Sequence, residues 1–206
     1  MIAIIDYGVG NLFSLSHSLT AVGAANIVTG EAQTIARADR VILPGVGAFG
    51  DAAAKLREMK LDALVRDLAA QGKPIMGICL GMQLLLDKSY EFGEHAGLGL
   101  IPGEVRPIAE VIPPDYKIPH IGWNRLDVTR PHPLFDAVKP GDCVYFVHSF
   151  YGAAGAEHVV ATAEYGAPLT AAVARDNVCG CQFHPEKSGD VGLGILKAFC
   201  GWEGRA

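Results

Sequence analysis

The amino-acid sequence predicts an α/β protein with a mostly parallel central sheet that continues into an antiparallel extension. Three observations carry this. In the first half, short apolar runs alternate with segments of helical period, the pattern of strands joined by helices. Ile2–Ile5 is apolar at every position, so this strand expects cover on both faces. Beyond residue 98, strand-like runs follow one another with only Gly/Pro turns between them, which suits antiparallel or mixed pairing.

Taken in order, the first strand ends in the glycine-bearing loop Asp6-Tyr7-Gly8-Val9-Gly10-Asn11. A helix starting near Asn11 or Leu12 would align Leu12, Leu15, Leu19 and Val22 on one stripe, with Asn11 able to cap it. The loop lacks the third glycine of a dinucleotide fingerprint. Asn26–Thr29 reads as a short strand and Arg40–Pro44 as a firmer one, feeding a second glycine-dense loop, Gly45–Gly50. Helices are expected over Asp51–Met59 and Leu61–Ala70; Gly72 stops the second and Pro74 opens the next strand. Lys88–Gly97 is polar and reads as a loop. Strands then follow at Leu98–Arg106, Ile118–Val128, Cys143–Tyr151, Glu157–Glu164, Thr170–Arg175 and Val178–Phe183. A closing helix begins at Gly189 or Asp190.

A chain of 206 residues accommodates one well-buried core, and a single domain over residues 1–206 is expected. The 17 basic and 22 acidic residues give a net charge of -5 without a dense Lys/Arg block, which argues against a nucleic-acid partner. No apolar run approaches the roughly 18 residues of a membrane span. The N-terminus reads as a strand rather than a signal peptide. Five cysteines, an odd number spread through the interior, point to a reducing compartment. A soluble cytoplasmic protein is the expectation.

The chemistry gathers at Pro74–Leu86, an apolar strand that becomes an apolar helix through Cys79, between Gly77 and Gly81. Glycines on either side allow a tight turn with φ > 0 at the cysteine, the arrangement of a nucleophile elbow, and a helix start favours a thiolate. A lone Cys in an apolar segment can equally be a small buried hydrophobe. The second group decides between them. His184 and Glu186 are two apart at the end of a predicted strand, so extended backbone puts both side chains on one face. A nucleophilic thiol needs a histidine to take its proton and an acid to orient that histidine. The tetrahedral oxyanion needs donors. The N–H of Leu80 is the first candidate, and the Gly45–Gly47 loop offers the second. Gln83, one turn after Cys79, could hold a polar substrate. Cys179 and Cys181 before His184 fall short of zinc-ligand spacing, so no metal is assigned. His148-Ser149 lacks the elbow of a serine hydrolase, and His120, His132 and His158 read as turn or surface histidines.

Gly77-Ile78-Cys79-Leu80-Gly81-Met82-Gln83 together with His184-Pro185-Glu186 resembles the class I, triad-type glutamine amidotransferases. Four further segments narrow the resemblance: Asp6–Leu12, Pro44–Phe49, His120-Ile121-Gly122-Trp123-Asn124 and Tyr145–Tyr151. With Glu186-Lys187-Ser188, they are most similar to the branch that supplies ammonia for imidazole glycerol phosphate synthesis. Sister enzymes serving anthranilate, guanylate or pyridoxal phosphate synthesis lack the Gly122-Trp123-Asn124 run. The resemblance implies a flavodoxin-like three-layer sandwich and glutaminase activity without a cofactor. It implies Cys79 as nucleophile, His184 as base and Glu186 as its orienter, with an oxyanion hole from Leu80 and the Val46–Gly47 region. Gly47, Gln83, His148 and Ser149 match positions near bound L-glutamine. Asn11, Trp123, Asn124 and Lys187 match an interface with a (β/α)₈-barrel cyclase subunit, in a heterodimer whose partner controls the oxyanion loop. Phe150 departs from the tyrosine that is usual there.

Overall fold

A computed structural model describes residues 1–204 of the chain. The first half builds strands β1 (Ile2–Ile5), β2 (Asn26–Thr29), β3 (Arg40–Leu43) and β4 (Ile75–Ile78). Between them run helices α1 (Leu12–Ala21), α2 (Ala32–Arg37), α3 (Phe49–Glu58) and α4 (Leu61–Ala70). The short α5 (Leu80–Leu84) follows β4 directly. Then come β5 (Lys88–Ser89), β6 (His95–Ala96), β7 (Gly103–Pro107), β8 (His120–Arg125) and β9 (Asp127–Val128). The chain ends with β10 (Cys143–His148), β11 (Phe150–Ala154), β12 (Val159–Glu164), β13 (Pro168–Arg175), β14 (Val178–Cys181) and α6 (Gly189–Gly201).

The central sheet has eight strands in the order β2-β1-β3-β4-β14-β13-β12-β9. Its β2, β1, β3, β4 and β14 neighbours pair in parallel, and β13, β12 and β9 extend it antiparallel. Period-two alternation sorts the core onto its two faces. Ile2, Ile4, Ile42 and Met76 pack with Leu15 and Leu19 of α1 and Ile195, Leu196 and Phe199 of α6. Ala3, Ile5, Val41, Leu43 and Ile75 pack with Ile35 of α2, Leu56 of α3 and Val65 of α4. Three layers result because the central strands are apolar on both faces. Among the described residues no helix is long and apolar enough to cross a membrane.

Two smaller sheets stand beside this body: the β10-β8 hairpin-like pair and the four strands β11-β7-β5-β6. They correct several expectations. Lys88–Gly97 is not a plain loop, since β5 and β6 pair there. The Leu98–Arg106 strand begins only at Gly103, and the run Cys143–Tyr151 breaks at Ser149, its two halves joining different sheets. The run Ile118–Val128 likewise divides, β8 pairing with β10 while β9 joins the edge of the main sheet. A continuous apolar stretch carries no mark of where a strand leaves one sheet for another. Asn11 stands at the N-cap of α1 but makes no side-chain capping bond.

Candidate active site

The site is built on two adjacent strands. Parallel pairing of β4 with β14 puts Ile78 opposite Cys181, so Cys79 leaves the sheet beside the segment that leads to His184. Cys79 itself has φ 55° and ψ -111°, a strained conformation for a side chain of any size. The N–H of Cys79 donates to the Cys181 carbonyl at 2.8 Å, locking the turn to the neighbouring strand. Crowding explains the flanking glycines. A Cβ at Gly81 would lie 1.8 Å from the Leu43 carbonyl oxygen, and one at Gly77 would lie 2.6 Å from that of Gly81.

His184 follows in extended backbone, and its Nδ1 lies 2.9 Å from Oε1 of Glu186. Both side chains are almost wholly buried, at 3% and 2% exposure. Burial lowers the proton affinity of the imidazole. The Cys79 sulfur and the Glu186 carboxylate outweigh it, and the histidine is pushed up to about 10. A ring so placed accepts a thiol proton readily. Its Nε2 has no hydrogen-bond partner among the described residues, leaving that atom available for proton transfer. The backbone is pinned as well: the N–H of His184 donates to Tyr145, and the Ser188 hydroxyl donates to the His184 carbonyl at 2.6 Å.

A cleft of about 410 Å³ opens over the thiol. Val46, Gly47, Leu80, Gln83, His148 and Ser149 all line it, as do Cys79 and His184. The structure thus gathers every residue expected at the substrate site. Leu80 is the first residue of α5, and no protein acceptor takes its N–H or those of Val46 and Gly47 among the described residues. Gly47 has φ 95°, while the Tyr7 hydroxyl donates to the Pro44 carbonyl at 2.8 Å and steadies the start of that loop. The side-chain amide of Gln83 donates to the Phe150 carbonyl and to Oε1 of Gln182.

The expected interface residues stand on the same edge but outside the cleft. Trp123 is 58% exposed, and its ring lies edge-on 6.2 Å from that of Tyr145, over which Lys187 also reaches. Asn11 is half-buried. Asn124 is different: it turns inward to the ring of His120 and to the Glu164 carbonyl. His120 and His132 are 2% exposed, against the expectation of surface histidines. His120 faces inward on β8, and His132 packs on Trp202. Histidines read as polar in a sequence, yet a neutral ring buries readily where aromatic faces and hydrogen bonds receive it. Cys179 and Cys181 are buried free cysteines within the core of the main sheet.

Sequence reasoning missed two groups at the site, one lining the cleft and one bonded to the thiol from within the core. Glu91 brings a carboxylate to the cleft, with Oε2 accepting from the Phe49 N–H at 2.7 Å. It lies in the stretch taken for a loop and carried no signal. Gln182 is fully buried and its Nε2 donates to the Cys79 sulfur at 3.7 Å. A polar residue inside the apolar run Val178–Phe183 was the available sign.

A buried thiol, imidazole and carboxylate at the carboxyl edge of an α/β sheet are the groups that a hydrolase of the nucleophilic-cysteine type uses. The chain belongs to the class-I glutamine amidotransferase family, whose model matches residues 3–200. It is 49% identical over 202 residues to the imidazole glycerol phosphate synthase subunit HisH of Wolinella succinogenes, covering 97% of this chain and 98% of that one. The subunit of the same name from Geobacillus thermodenitrificans is 50% identical over 204 residues, 98% and 95% of the two chains. Among solved structures, the fold is similar to a glutamine amidotransferase with TM-score 0.76 at 18% identity, covering 98% of this chain and all of the other. It is similar also to PurLQS of Thermotoga maritima, with TM-score 0.75 at 23% identity and 96% of each chain covered.

Proposed function

We propose that this chain hydrolyses L-glutamine to glutamate and ammonia through a thioester on Cys79. It then passes the ammonia to a (β/α)₈-barrel cyclase subunit that makes imidazole glycerol phosphate in histidine biosynthesis. The observation that carries the reading is the convergence of Cys79 and the His184–Glu186 pair from adjacent parallel strands on one cleft. The full-length similarity to HisH subunits supports the choice of pathway and partner.

In this reading the thiol proton passes to Nε2 of His184 as the sulfur bonds to the side-chain carbonyl carbon. The Leu80 N–H and an N–H of the Val46–Gly47 loop receive the oxyanion. His184 then returns the proton to the leaving nitrogen, and ammonia departs. Water attacks the thioester with His184 again as base, the oxyanion re-forms, and glutamate leaves with the thiol restored. Gln83 and Glu91 both line the cleft, where an amide oxygen and a carboxylate suit the substrate's ammonium. Ser149 lines the same cleft. Near neutral pH free ammonia is largely protonated and no nucleophile, so direct transfer requires a partner seated over this edge. Trp123, Lys187 and Asn11 face that position. The free cysteines fit work in the reducing cytoplasm.

The test is glutamine hydrolysis by this chain alone and with a barrel cyclase and its ribotide ligand. Slow hydrolysis alone and a rise of at least a hundredfold in the complex are expected. Equal rates in both would remove the partner from the reading, and no hydrolysis in either would remove the activity.

A further inference from the structure

A hydrogen-bonded chain runs from the inward face of β8 to the nucleophile, and a carbonyl in its middle fixes the direction of every bond. Nδ1 of His148 lies 2.8 Å from the Phe150 carbonyl oxygen, which can only accept, so this nitrogen carries the hydrogen. His148 is 6% exposed with no carboxylate bonded to it, and burial drives it down to about 4. A neutral ring then has a lone pair on Nε2, which accepts from Nδ1 of His120 at 2.9 Å. Nε2 of His120 in turn accepts from the Asn124 amide at 3.2 Å, whose other hydrogen goes to the Glu164 carbonyl. His120 is held between the rings of Phe146 and Tyr165, at 4.8 and 4.1 Å.

On its other side the same Phe150 carbonyl accepts from Nε2 of Gln83 at 3.1 Å, which settles which way that amide faces. The second hydrogen of Gln83 goes to Oε1 of Gln182 at 2.9 Å, so the nitrogen of Gln182 must face the Cys79 sulfur. Both ring nitrogens of His148 are thus engaged internally, and its part in the cleft is structural support rather than a bond to substrate.

We propose that Gln182 is a further catalytic residue, its amide N–H stabilising the Cys79 thiolate, and that His120 and His148 are positioning residues that hold this amide through the Phe150 carbonyl. The proposal rests on Cys79 being the nucleophile, not on what it attacks. His184, Tyr7 and Cys181 also interact electrostatically with the sulfur, and Glu186 holds His184. Among these, Gln182 adds a neutral donor whose value rises as the sulfur becomes an anion. When the thiol proton moves to His184 the amide bond strengthens, with no change in the number of protons in the site.

The experiment is alkylation of the full chain by iodoacetamide at pH 7, with modification of Cys79 followed by peptide mass spectrometry. Gln182→Met should slow Cys79 alkylation about tenfold or more, as for loss of a hydrogen bond to a charged group. Cys143 and Cys200 serve as internal controls. Gln182→Glu, which removes the donor but keeps an acceptor for Gln83, should slow it at least as much. A Cys79 rate within twofold of wild type in both folded variants overturns the role of Gln182. In the wild-type chain, imidazole ¹⁵N shifts should place His120 and His148 as neutral Nδ1–H tautomers from pH 5.5 to 8. An Nε2–H tautomer in either ring, or a titration within that range, overturns the brace. Alkylation needs neither glutamine nor a partner, so these outcomes are separate from any failure of the glutaminase reading.

Discussion

His184 and His148 line the same cleft and are both buried, but they are driven in opposite directions. His184 is raised to about 10 and His148 lowered to about 4. Burial alone pulls each imidazole down, because a low-polarity surrounding disfavours the cation. At His184 the Cys79 sulfur and, at 2.9 Å, the Glu186 carboxylate reverse the sign. At His148 burial prevails: the bond to the Phe150 carbonyl offsets only part of it, and the His120 and His184 rings add to the downward push. The two rings are thereby suited to different work, His184 to holding a proton and His148 to keeping a single tautomer. Partners, not depth, assign the two roles.

The largest expected effect comes from removing the sulfur. Cys79→Ala should abolish glutamine hydrolysis while a complex with the cyclase keeps turnover with added ammonium salts; equal loss of both would make the cysteine structural. Glu186→Gln strips the carboxylate from one side of the comparison. It should lower kcat by about 10²–10⁴-fold, and His184, followed by NMR, should titrate well below 10. A histidine still near 10 in that variant would break the contrast.

Acid stability tests the other side. His120, His132 and His148 all titrate near 4 in the folded chain, against 6.5 as unperturbed groups. The unfolded chain then holds more protons between those values, so stability present above pH 6.5 declines as pH falls toward 4. His184 works the other way: its contribution is complete below 6.5 and is lost as pH rises through about 10. Calorimetry should show both limbs, and His120→Phe should make the acid limb shallower. An unchanged acid limb in that variant would mean that His120 charges without penalty. The smallest effect is at the surface. Trp123→Ala should weaken association with the cyclase by about 2 kcal/mol and leave the His120 tautomer as it was. A shift in the His120 signals would join the docking face to the brace.

Much of the fold was legible because local pattern and tertiary demand agree. The all-apolar Ile2–Ile5 run is a central strand, and the glycines around Cys79 stand where a Cβ would strike a backbone carbonyl, that of Leu43 for Gly81 and that of Gly81 for Gly77. The placement of the proposed triad was legible because a thiol at a strand-to-helix turn and a His-x-Glu at a strand end each need the other to make chemical sense. The break at Ser149, the small strands within Lys88–Gly97 and the burial of His120 were not legible. Each depends on which distant strand lies alongside, and no residue within the segment reports that.

The sequence by itself determined the layers and singled out the residues proposed as nucleophile and base, since period, glycine placement and side-chain chemistry are properties of the local chain. The tertiary structure alone decided the proton states and bond directions around them. The register of β8 against β10 sets His120 opposite His148, and the break after β10 aims the Phe150 carbonyl at both His148 and Gln83. A carbonyl oxygen accepts and cannot donate, so its position, brought in from another sheet, orders hydrogens that no pattern of letters contains.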